Sequence, residues 1–121
     1  MERLREMKII VAGSRNIRDI AEVNQAIADA PFKITELVHG GCSGVDELAA
    51  IWAEAHNVPS TVFRADWDVF GKAAGPIRNR DMARYADALI AVWDGKSRGT
   101  RNMIEEMRER GKEVSIRRVA S

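Results

Sequence analysis

Three short runs combine glycine with hydroxyl and basic side chains. They are Ala12-Gly13-Ser14-Arg15, Gly40-Gly41-Cys42-Ser43-Gly44-Val45-Asp46 and Asp94-Gly95-Lys96-Ser97-Arg98-Gly99-Thr100. Glycine lets backbone N–H groups approach a ligand closely, and a helix N-terminus favours negative charge. Each run follows an apolar stretch and precedes a helical pattern, so all three would lie on one edge of a parallel sheet. Gly13, Ser14 and Arg15, then Gly40, Gly41, Ser43 and Gly44, then Ser97, Gly99 and Thr100 are therefore candidate contacts of a phosphate-bearing small molecule. The first run lacks the G-x-G-x-x-G dinucleotide fingerprint, and the third lacks the P-loop order.

The second run is the more informative, because three glycines in five residues are costly unless the backbone needs them. Asp46 reads as a first-turn carboxylate complementing the helix dipole, or as a partner for a ribose hydroxyl or for a basic side chain. The dipole role is favoured. Cys42 reads as a small apolar filler rather than a nucleophile, and His39 as a hydrogen-bonded strand-end residue rather than its base.

A fourth segment carries a conflict. Ala65-Asp66-Trp67 precedes Gly75-Pro76-Ile77-Arg78-Asn79-Arg80-Asp81-Met82. Trp67 has the chemistry to stack on a base or to pack the loop onto the body. Pro76 and Ile77 are expected to open a helix, which puts Arg78, Asn79 and Arg80 in its first two turns. Basic residues there oppose the helix dipole, and a bound anion would offset the conflict. The alternative is pairing with Asp66, Asp68 or Asp81. Glu106 and Arg110 have i,i+4 spacing, so a solvated charged face is the default for Glu105 and Glu106.

The elements that must position these residues alternate. Strands are predicted at 7–11, 34–38, 58–63, 88–93 and 113–116. Helices are predicted at 17–30, with Asn16 as N-cap, and at 45–55, 77–85 and 100–110, the last with Thr100 as N-cap. Residues 64–76 read as a long functional loop, and residues 117–121 as a fraying tail. Strict alternation implies an α/β fold: a Rossmann-like three-layer α/β/α sandwich around a mainly parallel sheet of about five strands. One domain over 1–121, with its core at 7–116, is expected.

The chain has 121 residues, 45% of them hydrophobic, with 19 basic and 18 acidic side chains for a net charge of +1. This near balance argues against a broad nucleic-acid-binding surface. The single cysteine excludes an internal disulfide and fits a reducing compartment. No apolar run is long enough to span a membrane. A cytoplasmic location is expected, as is no metal or cofactor, since no cluster has metal-ligand spacing.

These ordered motifs resemble the YspA-like, cpYpsA-related branch of the SLOG superfamily, distantly related to LOG phosphoribohydrolases and Smf-type DNA-processing proteins. The matching residues are Gly13-Ser14-Arg15, Gly40 to Asp46, Ala65-Asp66-Trp67, Gly75 to Met82 with Arg78-Asn79, and Asp94-Gly95 with Ser97, Gly99 and Thr100. The resemblance implies a Rossmann-like fold that binds nucleotides or nucleotide-derived ligands, and a homo-oligomer, a dimer or higher.

The similarity to LOG enzymes bears on catalysis. Met82-Ala83-Arg84-Tyr85-Ala86-Asp87 matches their Met-Ala-x-x-Ala-Asp stretch, which puts their catalytic Arg on Arg78. Their Pro-Gly-Gly-x-Gly-Thr-x-x-Glu motif is replaced here. The first acid after Thr100 is Glu105, five residues on, where that motif has its acid three residues on, or two, a displacement of about 3–5 Å along the helix. The ligand-binding part is retained better than the catalytic part. The leading reading is a module that binds a nucleotide, an ADP-ribose-like molecule or a cyclic nucleotide at the C-terminal edge of the sheet, as a sensor or sequestering protein. The proposed contacts are those of the three loops with Asp46, Asp66, Trp67, Arg78 and Asn79. The alternative is a nucleotide N-glycosidic hydrolase with Arg78 and Glu105 as catalytic pair. DNA binding is a third possibility, weakened by the charge balance.

Overall fold

The computed structural model describes residues 6–120. Residues 1–5 and Ser121, the last residue of the expected tail, lie outside them. Five strands, β1 (Glu6–Gly13), β2 (Lys33–His39), β3 (Ser60–Val62), β4 (Ala88–Trp93) and β5 (Glu113–Arg118), form one sheet in the order β3-β2-β1-β4-β5. Every pairing is parallel. Ile9 to Val11 of β1 and Ala88 to Val92 of β4 are apolar runs buried on both faces, as central parallel strands require.

Helices cover both faces. On one side α1 (Ile20–Asp29) and α2 (Val45–Ala55) bury Val23, Ala26, Ala49 and Ala53 against Ile9, Val11, Leu37 and Ile90. On the other, α4 (Ala74–Tyr85) and α5 (Arg98–Glu109) bury Met82, Ala83, Met103 and Met107 against Ile10, Val38, Leu89 and Ala91. The α/β sandwich is thus Rossmann-like. Its strand order reverses between β1 and β4, where ligands bind in open α/β sheets.

Several boundaries differ from expectation. α1 begins at Ile20 with Asp19 as N-cap, whose carboxylate accepts from Ala21 N at 2.9 Å. Ile17 instead buries its side chain while still in the loop. Residues 64–76 are not one loop. They hold a single helical turn, α3 (Trp67–Phe70), a 3-10 turn (Gly71–Ala73) and the start of α4. The N-cap of α5 is Ser97 rather than Thr100. Arg117 and Arg118 belong to β5 rather than to a frayed tail, and Arg117 Nε bonds Glu22 Oε2 at 3.0 Å. Lys112 closes the far end of α4 by donating to the Ala83 and Ala86 carbonyls, both at 2.7 Å.

Candidate functional site

The loops after β1 and β4 are stitched together at the sheet edge. Ser14 N donates to Val92 O at 3.1 Å, and Asp94 N donates to Ser14 Oγ at 3.0 Å. Ser14 is therefore buried as a structural hydroxyl with its Oγ already engaged. In the β2 loop, Gly44 has φ +78°, and a Cβ there would lie 2.5 Å from Arg15 O. Only glycine suits that position, which lets the β1 and β2 loops press together.

Asp46 organises the β2 loop. Its Oδ2 accepts from Gly40 N at 2.9 Å and Cys42 N at 3.2 Å. The side chain thus reaches back across the loop, rather than serving mainly as a carboxylate in the dipole field of α2. Burial raises the Asp46 carboxyl above its usual value, against the opposing pull of those two N–H groups and of Arg78 and Arg15. His39 Nδ1 accepts from Gly41 N at 3.1 Å, which leaves it no role as a base for Cys42. Burial, aided by Arg64, pushes the His39 imidazole below its usual value. Cys42 is more than a filler, since its Sγ sits 3.8 Å from Arg15 Nη2 and 3.7 Å from Arg78 Nη1.

Arg78 is held by protein groups. Nη1 donates to Gly40 O at 2.8 Å and Phe63 O at 3.5 Å, and Nε donates to Asn79 Oδ1 at 2.9 Å. α4 starts three residues before the expected Ile77, so Arg78 stands in the second turn, where the dipole has faded. The expected electrostatic conflict is thereby corrected. Among the described residues Nη2 donates to no protein group, and Arg78 lines the cavity described below. Arg80 is exposed. Asn79 is buried and clamps α4 to α5 through Gly99 O at 3.2 Å and Asn102 Oδ1 at 2.9 Å.

At the start of α5, Ser97 Oγ accepts from Thr100 N at 3.4 Å. The amides of Arg98 and Gly99 donate to no protein group among the described residues. A Cβ on Gly99 would meet nothing. Asp94 Oδ1 accepts from Lys96 N and Ser97 N, and these two bonds hold its carboxyl below the usual range.

A cavity of about 540 Å³ opens where these loops meet. From the residues expected by sequence it collects Gly13, Ser14, Arg15, Asp46, Trp67, Arg78, Asn79, Ser97, Gly99 and Thr100. Gly40, Gly41, Ser43, Gly44 and Asp66 do not line it. The glycines shape the β2 loop behind Asp46, and Asp66 caps α3 by accepting from Val69 N at 3.2 Å. Glu105 is exposed on α5, outside the lining, and Glu106 pairs with Arg110 at 2.6 Å.

Sequence reasoning missed Asn16, Lys72, Asp94, Arg98, Asn102 and Met103. For Arg98 and Asn102 a signal existed, since i,i+4 spacing from the start of α5 puts them on one helix face. For Lys72 there was none, because its segment shows no periodic pattern.

Trp67 is half exposed at the cavity rim. Its indole lies over Gly75, where a Cβ would come 3.3 Å from the ring. Among the described residues no three metal-ligating side chains gather, and no helix is long and apolar enough to cross a membrane.

A family model for the YspA, cpYpsA-related SLOG family matches residues 7–70, over half of the chain. The chain belongs to that SLOG family. The matched span contains the β1 and β2 loops, Asp46 and Trp67, while Arg78 and the start of α5 lie beyond it. The chain is also similar to the Gene 61 protein of Mycobacterium phage D29, at 38% identity over 114 residues, covering 86% of this chain and 90% of that protein. No solved structure matches. SLOG membership is compatible with a nucleotide-related ligand, and the cavity stands where the three loops of this SLOG chain converge.

Asp46→Asn separates the two duties of that side chain. The raised carboxyl binds its proton more tightly folded than unfolded. Its contribution to stability is therefore complete below the unfolded value of 3.8 and is lost as pH rises through the folded one. Asparagine stays neutral and still offers an oxygen to Gly40 N and Cys42 N. The variant is expected to gain about 1 kcal/mol at neutral pH, with the gain vanishing near pH 3. Urea unfolding at both pH values checks this.

Proposed function

We propose that the protein captures a nucleotide or nucleotide-derived anion in this cavity, as a sensor or sequestering module. One observation carries the reading. Arg15, Lys72, Arg78 and Arg98 all line the cavity at the strand-order reversal, together with the unpaired Arg98 and Gly99 amides. Such a cluster of cations and helix-start amides suits phosphate. The apolar face of Trp67 at the rim offers a base a stacking surface. The volume is in the range of small-molecule sites.

Hydrolysis of an N-glycosidic bond is less well supported. The acid expected for it, Glu105, is outside the lining, and the two carboxylates that do line the cavity, Asp46 and Asp94, each hold a loop through two backbone N–H groups. Turnover is therefore not part of the proposal.

Isothermal titration with nucleoside mono- and diphosphates, ADP-ribose and cyclic nucleotides is the test. At least one is expected to bind with a Kd of about 100 μM or tighter, equivalent to roughly 5.5 kcal/mol. Trp67→Ala is expected to weaken it about tenfold. Absence of binding below millimolar concentration for the whole panel removes the reading.

A further inference from the structure

Asp46 is buried, with 5% of its surface exposed. Both protein hydrogen bonds it accepts fall on Oδ2. Among the described residues Oδ1 accepts none, and no cation closes an ion pair with it. Among the described residues every fully buried side-chain nitrogen or oxygen does have a partner. Oδ1 must then be open, and the opening available is the cavity that Asp46 lines. The site thus contains an acceptor with no protein donor, fixed in place by the loop that its sister oxygen ties down.

We propose that Asp46 Oδ1 accepts a hydrogen bond from a sugar hydroxyl, which makes this a site for ribonucleotides in preference to their deoxy counterparts. The inference rests on the nucleotide reading above. A phosphate offers no proton at neutral pH and would be repelled by a carboxylate, whereas the Arg98 and Gly99 amides suit it. Of the remaining parts of a nucleotide, the 2′- and 3′-hydroxyls are donors by nature. A carboxylate that meets them gains a charge-assisted bond, and one that meets a deoxy sugar is left desolvated without a partner. Asp94, the other carboxylate of the lining, is likewise engaged on one oxygen, by Lys96 N and Ser97 N, but it is only half-buried, so water can serve its second oxygen where a deoxy sugar does not.

The test is calorimetric titration of the four ribonucleoside 5′-monophosphates beside their 2′-deoxy and 3′-deoxy forms. At least one ribonucleotide is expected to bind tenfold or more tightly than one of its deoxy forms. In Asp46→Asn, which keeps the loop bonds but loses the charge, that ratio is expected to fall to threefold or less, with affinity for the deoxy form undiminished. Thermal unfolding of the variant confirms that it is folded. Equal binding of the ribo and deoxy forms overturns the sugar assignment and leaves the nucleotide reading standing. An undiminished ratio in Asp46→Asn assigns the discrimination to another group and overturns the role of Asp46. Failure of every nucleotide to bind removes both readings together.

Discussion

Gly13→Ala is expected to destabilise the protein by about 3–5 kcal/mol, among the largest costs of a single methyl group. Gly13 ends β1 and pairs with Val92 of β4 in the middle of the sheet. A Cβ there would overlap the Val92 carbonyl oxygen and lie 2.7 Å from Val45 Cγ2. Neither neighbour has room to retreat. Val92 is in a central strand, and Val45 is fully buried at the start of α2. The carbonyl of Val92 also receives Ser14 N, so the strain reaches the turn that carries Ser14 and Arg15. Measured against a typical total of about 5–15 kcal/mol, the loss leaves a marginal protein. Denaturant unfolding with an unchanged m-value checks it, and a change below about 1 kcal/mol would contradict the packing described for this turn.

Arg78→Ala is expected to lower stability by about 2–3 kcal/mol and to weaken nucleotide binding a hundredfold or more. The stability cost follows from bonds the guanidinium makes to Gly40 O and Asn79 Oδ1, which join the β2 loop to α4. The binding cost follows from the proposed function, in which Nη2 supplies a charge-assisted bond to the ligand. Lysine does not restore either property, because one ammonium cannot reproduce the fork that contacts Gly40 and Asn79 together. Urea unfolding and calorimetry on both variants read the two effects separately. Recovery of full affinity in Arg78→Lys would show that position 78 provides charge alone.

The periodic elements were legible where burial is continuous. The span predicted for α2 and that for β4 agree with the structure at both ends, because β4 is buried along almost its whole length and α2 sets Val45, Ala49 and Ala53 at helical spacing against the core. α3 was not legible, since it buries none of its residues and so leaves no periodic trace. Its turn is set by the Asp66 cap and by the seat of Trp67 over Gly75. The beginning of α4 was missed for a related reason. Pro76 suits a first turn, but two small residues before it, Ala74 and Gly75, are buried and extend the helix backwards.

The sequence by itself determined the alternation of strands and helices, the glycine-rich turns at one sheet edge, and ten of the cavity residues. Those follow from local chemistry: backbone freedom at glycine, capping side chains and apolar runs. Only the tertiary structure decided what each polar side chain binds. Asp46 belongs to Gly40 and Cys42, Arg78 to Gly40 and Phe63, Asn79 to Gly99 and Asn102, partners 4 to 38 residues away. Hydrogen bonds of that kind are set by where the chain crosses itself, which no local pattern encodes. Among the described residues the same crossing leaves Asp46 Oδ1 and Arg78 Nη2 without protein partners, one acceptor and one donor at the edge of a shared cavity.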